Sequence, residues 1–131
     1  MLGVRNLSSP IPMATGIKIT VEILEAAYAL VAETEPFCSW PLPDVHEVRF
    51  EIKRFRAHTA DSFKDATGRW TIRMNDAWCG SLHGVVATMM HEMCHLAHGE
   101  ACPSDQAHHG KWFKALANAV CSVHPLDPKS F

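Results

Sequence analysis

The sequence predicts a small α+β domain, and three observations carry that expectation. Apolar residues recur at helical spacing in three separate segments and alternate with polar residues in two others. The chain has 131 residues, enough for one hydrophobic core and too few for two of ordinary size. Its 47% hydrophobic content excludes disorder throughout, because that much apolar burial offsets the entropy of ordering. A formal net charge of −2 excludes a globally basic nucleic-acid binder. No apolar run of about 18 residues occurs, so no transmembrane helix is expected.

The elements follow in chain order. Residues 1–16, with Ser8-Ser9-Pro10 and Pro12, read as an extended arm, and residues 17–131 as a single domain. The arm has no long apolar stretch and reads as no secretory signal. Five cysteines (Cys38, Cys79, Cys94, Cys102 and Cys121), none in a C-x-x-C pair, indicate neither a disulfide framework nor a zinc ribbon. A cytoplasmic or otherwise intracellular protein is expected. Residues 17–35 place Val21, Leu24, Ala27, Tyr28 and Val31 on one helical stripe, which Pro36, Pro41 and Pro43 end. Between 46 and 58, Val48, Phe50 and Ile52 alternate with Arg49, Glu51 and Lys53, the period of a half-buried strand. Residues 59–68 read as a connection ending in a turn. Trp70, Ile72 and Met74 then alternate within 69–75, and two strands joined this way are expected to pair in a short antiparallel sheet.

The strongest helical pattern runs from Ser81 to His98. Leu82, Val85, Val86, Met89, Met93, Leu96 and Ala97 form a broad apolar face, with His91 and His95 almost opposite its centre. Gly84 and Thr88 leave room beside those histidines. A C-terminal helix is expected from about 109 to 122, with Trp112, Phe113, Leu116, Val120 and Val123 as its buried side and Pro125 and Pro128 beyond it.

Chemistry concentrates in the second half. The chain has nine His, and five of them (His91, His95, His98, His108 and His109) fall between 91 and 109. His91-Glu92-Met93-Cys94-His95 is an H-E-x-x-H motif on the predicted helix. A spacing of four sets two imidazoles one turn apart on one face, where both reach a single Zn²⁺. Glu92 projects about 100° round from His91, beside the ion, where a carboxylate can take a proton from water. A catalytic zinc takes three protein ligands and keeps one open position. No Glu follows Glu100, and the Gly and third His of the longer H-E-x-x-H-x-x-G-x-x-H form are replaced by His98 and Ala101. His98 stands about 10.5 Å along the helix axis from His91, too far to share an ion bound at about 2 Å. It reads as a solvated residue or a donor behind the ligands. His108, His109 and His124 remain as third-ligand candidates.

Together these residues resemble the SprT-like (Spartan-type) zinc metallopeptidases. The resemblance rests on His91–His95, on His109-Gly110-Lys111-Trp112-Phe113 opening a helix after a variable loop, and on Thr71–Asn75 as a T-I-x-M-N strand before the motif helix. It implies a small zincin-like fold, one Zn²⁺ on His91, His95 and His109, and Glu92 as general base in peptide-bond hydrolysis. It also implies protein substrates, including proteins attached to DNA. Two departures stand out: no zinc ribbon follows the last helix, and His108 beside His109 is a rival ligand.

The partner of the oxyanion is open among His98, His108, Arg73 and His124, since Tyr28, the only tyrosine, lies in the first helix. The strand at 70–75 can pair with an extended peptide if it forms the sheet edge. Cys94 reads as a buried thiol and Cys102 as a possible regulator of the zinc. Charge is uneven: residues 49–73 carry a net +4 from Arg49, Lys53, Arg54, Arg56, Lys64, Arg69 and Arg73 against Glu51, Asp61 and Asp65. A basic hairpin of this kind suits weak DNA contact through Arg49, Lys53, Arg54, Arg56, Arg69 and Arg73. The alternative function is a catalytically inactive, zinc-stabilised module that uses that hairpin to bind nucleic acid or protein.

Overall fold

Thr20 opens the first helix by accepting a hydrogen bond from the Ile23 N–H at 3.2 Å, and α1 runs Val21–Ala32. The computed structural model describes residues 18–56, 58–76, 81–105 and 107–131, so the expected arm at 1–16 and Cys79 lie outside the described residues. The predicted stripe of α1 is its buried face: Leu24, Ala27, Tyr28 and Val31. The Tyr28 hydroxyl donates to the Pro43 carbonyl at 2.6 Å and holds the proline-rich connection against the helix. Two short 3₁₀ turns, Phe37–Ser39 and Val45–Glu47, carry the chain to the sheet.

The sheet has three strands, β1 (Arg49–Ile52), β2 (Ala60–Lys64) and β3 (Trp70–Met74), in the order β1-β3-β2. β3 pairs parallel to β1 and antiparallel to β2. The antiparallel pairing expected between the two predicted strands is therefore corrected: the sheet is mixed. The residues read as a connection contain β2, which doubles back along β3 and leaves β1 and β3 parallel. Across the strands Phe50, Ile72 and Ser62 stand in register on one face. On that face Phe50 meets Tyr28 of α1 edge-on at 5.6 Å.

Ser81 caps α2 (Leu82–Ala101), accepting from the Gly84 N–H at 3.0 Å. α2 packs on α1 and β2, so the two helices share one side of the sheet. Its buried residues include Val85, Met89, Met93, Leu96 and Ala97 as predicted, together with Met90 and Cys94. Leu82, expected in that face, is 63% exposed at the first turn, where no described residue covers it. α3 (Lys111–Val123) packs on α2 through Phe113 and Val120. Trp112 and Val123, expected inside, are exposed, because the contact with α2 is a narrow stripe and both fall off its edge.

The stretch 49–73 is thus the whole sheet rather than a hairpin; the hairpin is β2–β3. Glu51, Arg73 and Asp61 align on the outer face, where Arg73 Nε donates to Asp61 Oδ1 at 2.8 Å. No described helix is long and apolar enough to cross a membrane.

Candidate metal centre

His91 and His95 lie one turn apart on α2, and His109 comes from the loop just ahead of α3. Gly110 follows it at the helix N-cap, where a Cβ would meet the Ala107 Cβ at 2.7 Å, so this tight approach needs glycine. The loop thereby turns His109 back over α2. His109 Nε2 lies 3.2 Å from His95 Nε2 and 3.4 Å from His91 Nε2. One ring nitrogen of each of the three falls within 4.8 Å of the others. Two Zn–N bonds of about 2.05 Å at the tetrahedral angle separate their nitrogens by about 3.3 Å, so the spacing suits that ion.

The electrostatics agree with the spacing. Burial lowers the proton affinity of His91, with the neighbouring His109 and His108 adding to the effect. His95 is pushed down to about 3, first by burial and then by the surrounding histidines. His109 is lowered by burial, then by His108 and Lys114. All three are therefore neutral imidazoles at pH 7, the ligand form. Each neutral imidazole keeps one unprotonated nitrogen, whose lone pair a cation shared by the three would take. His91 Nδ1 donates to the main-chain oxygen of Phe131 at 2.6 Å, which fixes the tautomer and leaves Nε2 for the centre.

Phe113 is the apolar wall of this site. Its ring stacks on His95 at 4.3 Å and meets His91 at 5.1 Å and His109 at 4.8 Å. The four-residue spacing from His109 was the signal for it. Glu92 is 4% exposed, and burial pushes its carboxyl up to about 7, with Asp61 adding to the rise. The Ser62 hydroxyl is enclosed without a hydrogen bond of full geometry, yet lies near enough to Glu92 to lower it. Ser62 on β2, His58 and Phe131 carried no sequence signal; tertiary closure alone brings them here.

A cleft of about 330 Å³ opens beside His91, Glu92 and His109, walled by His58, Thr59 and Ala60. A second hollow of about 220 Å³ lies toward His95, His98 and His108 and reaches Ser62, Phe63 and Lys64 of β2. β2 therefore borders both and is the sheet edge beside the site. β3, proposed from the sequence as that edge if exposed, is central.

The other candidates are placed elsewhere. His98 is buried and bonded to Asp105 at 2.8 Å. His108 leans its ring on His95 at 4.8 Å but is not among the clustered ligand atoms. His124 sits at the end of α1, its Nε2 2.9 Å from the Glu35 carbonyl. Tyr28 is bound to Pro43 and Arg73 to Asp61, outside the cleft walls. Cys94 is fully buried as expected, and burial raises its thiol well above the ordinary range. Cys102 caps α2 through its main chain, and it is not part of the clustered group.

Arg54 meets Asp76 at 3.5 Å and Lys64 meets Glu100 at 3.4 Å, so with Arg73 three of the seven cations of 49–73 face carboxylates. Comparison with known proteins adds one match and one absence. The sequence model of the SprT-like family matches residues 27–130. No curated protein matches the chain.

Proposed function

The chain belongs to the SprT-like family, and from that premise we propose that it is a zinc metallopeptidase hydrolysing peptide bonds. The observation that carries this reading is the convergence of three neutral imidazoles, His91, His95 and His109, next to the buried carboxyl of Glu92. Zinc held by those three nitrogens supplies Lewis-acid polarisation of a carbonyl and of a water. Glu92 takes the proton from the attacking water as the O–C bond forms, and returns it to the nitrogen as the C–N bond breaks. A group with a proton affinity near neutrality serves both directions. Phe113 keeps bulk water from the far side of the imidazoles. The substrate main chain lies along the free edge of β2, hydrogen-bonded as an added strand, with its side chains reaching into the two hollows.

Protein substrates attached to DNA are part of the same proposal. Arg49 and Arg69 at one end of the sheet, and Lys53 and Arg56 beyond the other, are exposed and suit weak, salt-sensitive phosphate contact, with Arg54 and Arg73 partly neutralised by their carboxylates. Glu92→Gln tests the enzyme against an inactive binding module. The variant is expected to keep one zinc per chain and to cleave an unfolded protein about 10²–10⁴-fold more slowly. Equal cleavage by the two proteins would remove the enzymatic reading.

A further inference from the structure

His98 is buried at 5% exposure, one turn beyond His95 on α2, and the chemistry above does not use it. Its Nε2 donates to Asp105 Oδ2 at 2.8 Å. Asp105 is also tied on its other side: its Oδ1 accepts the Ala107 N–H at 3.1 Å, and its own N–H bonds the Cys102 carbonyl at 3.0 Å. These contacts peg the connection between α2 and α3 at its middle, four residues ahead of His109. The Ala107 N–H first, and His98 second, hold the Asp105 carboxyl below the usual range, so the acceptor is ionised. Without the peg, the segment from Cys102 to Gly110 would have to be ordered each time His109 closed over His95, and each residue fixed costs conformational entropy.

We propose that His98 and Asp105 are a positioning pair that holds the α2–α3 loop with His109 already facing His91 and His95, and so sets the grip of the site on its metal. This rests on the reading of the three histidines as a metal centre. A loop staple that served stability alone would leave metal binding untouched, and that difference is measurable.

The experiment uses the full chain, with zinc titrated against a competing chelator dye and the visible spectrum of the cobalt(II) form read in parallel. Asp105→Ala and His98→Leu are expected to loosen zinc roughly ten- to a hundred-fold, and to move the cobalt bands toward those of His109→Ala. His98→Gln, whose amide places a donor near the same point, is expected to restore both readings toward the parent. His98→Leu keeps the buried volume apolar and folded, so the comparison stands even if Asp105→Ala does not fold. Parent-like zinc affinity and cobalt bands in the folded variants, with both lost in His109→Ala, overturn the positioning pair and leave the metal centre intact. Parent-like binding in His109→Ala as well overturns the metal centre itself.

Discussion

A neutral imidazole binds a metal and a protonated one does not, so the burial that lowers the proton affinity of the three histidines, deepest at His95, matters as much as their positions. Phe113 touches all three rings and is 4% exposed, which accounts for an aromatic residue four places after His109. Tyr28 shows the same physics far from the site. Burial first, then the charges of Asp44, Glu47 and Glu100, raise its phenol well above the ordinary value. The unfolded chain loses this proton near pH 10, whereas the folded chain keeps it. The stabilisation is therefore intact below about pH 10 and is lost as pH rises further. Urea midpoints between about pH 9 and pH 11 are expected to fall more steeply in the parent than in Tyr28→Phe. As the only tyrosine of the chain, Tyr28 reports directly: phenolate absorbance is expected to appear only with unfolding. Parallel declines in the two proteins would contradict this account.

At the level of elements, the helices were legible and one strand was not. Each helix repeats its apolar residues every three to four positions over more than ten residues, a signal too long to imitate. β2 is Ala60–Lys64, and its inward residues Ala60 and Ser62 are small where α2 lies against the strand. The strand that borders the site therefore lacks the bulky alternation that marks a strand, and the mixed pairing went unseen with it. The i, i+4 spacing exposed His91 and His95 plainly, whereas His109 needed the resemblance to separate it from His108. Nothing local marks Ser62 or Phe131, whose proximity to the site exists only after the chain closes.

Packing between α2 and β3 gives a test at this scale. A Cβ on Gly99 would meet Cζ2 and Cη2 of Trp70 at 2.5 and 2.6 Å. That ring is rigid and is held by Nε1 donating to Glu100 at 2.8 Å. Gly99→Ala gains about 1 kcal/mol of helix propensity and loses about 3 kcal/mol to overpacking. A net loss of about 2 kcal/mol is expected as a lower urea midpoint with an unchanged slope. A stabilised variant would show that the ring moves aside freely.

Across the whole molecule, the site draws on β2, on the middle of α2, on the loop before α3 and on Phe131. A metal at the three histidines therefore ties α2 to the α3 end of the chain. At a free zinc concentration about a thousand times the dissociation constant, binding adds about 4 kcal/mol to stability. For a domain of this size that is roughly 10–15 °C in Tm. Chelation is expected to lower the melting temperature by that order in the parent and far less in His109→Ala. Superimposable melts with and without chelator would contradict the bridging role.

The hydrogen bond from His91 to Phe131 spans 40 residues of chain. During synthesis at about 5–20 residues per second, His91 is made about 2–8 s before the carbonyl that fixes its tautomer. His91, Glu92 and His95 thus leave the ribosome on a helix whose contacts with the later chain are still unmade. A site assembled in this order gains its full set of contacts only after the intervening residues 92–130 have been made and can already fold.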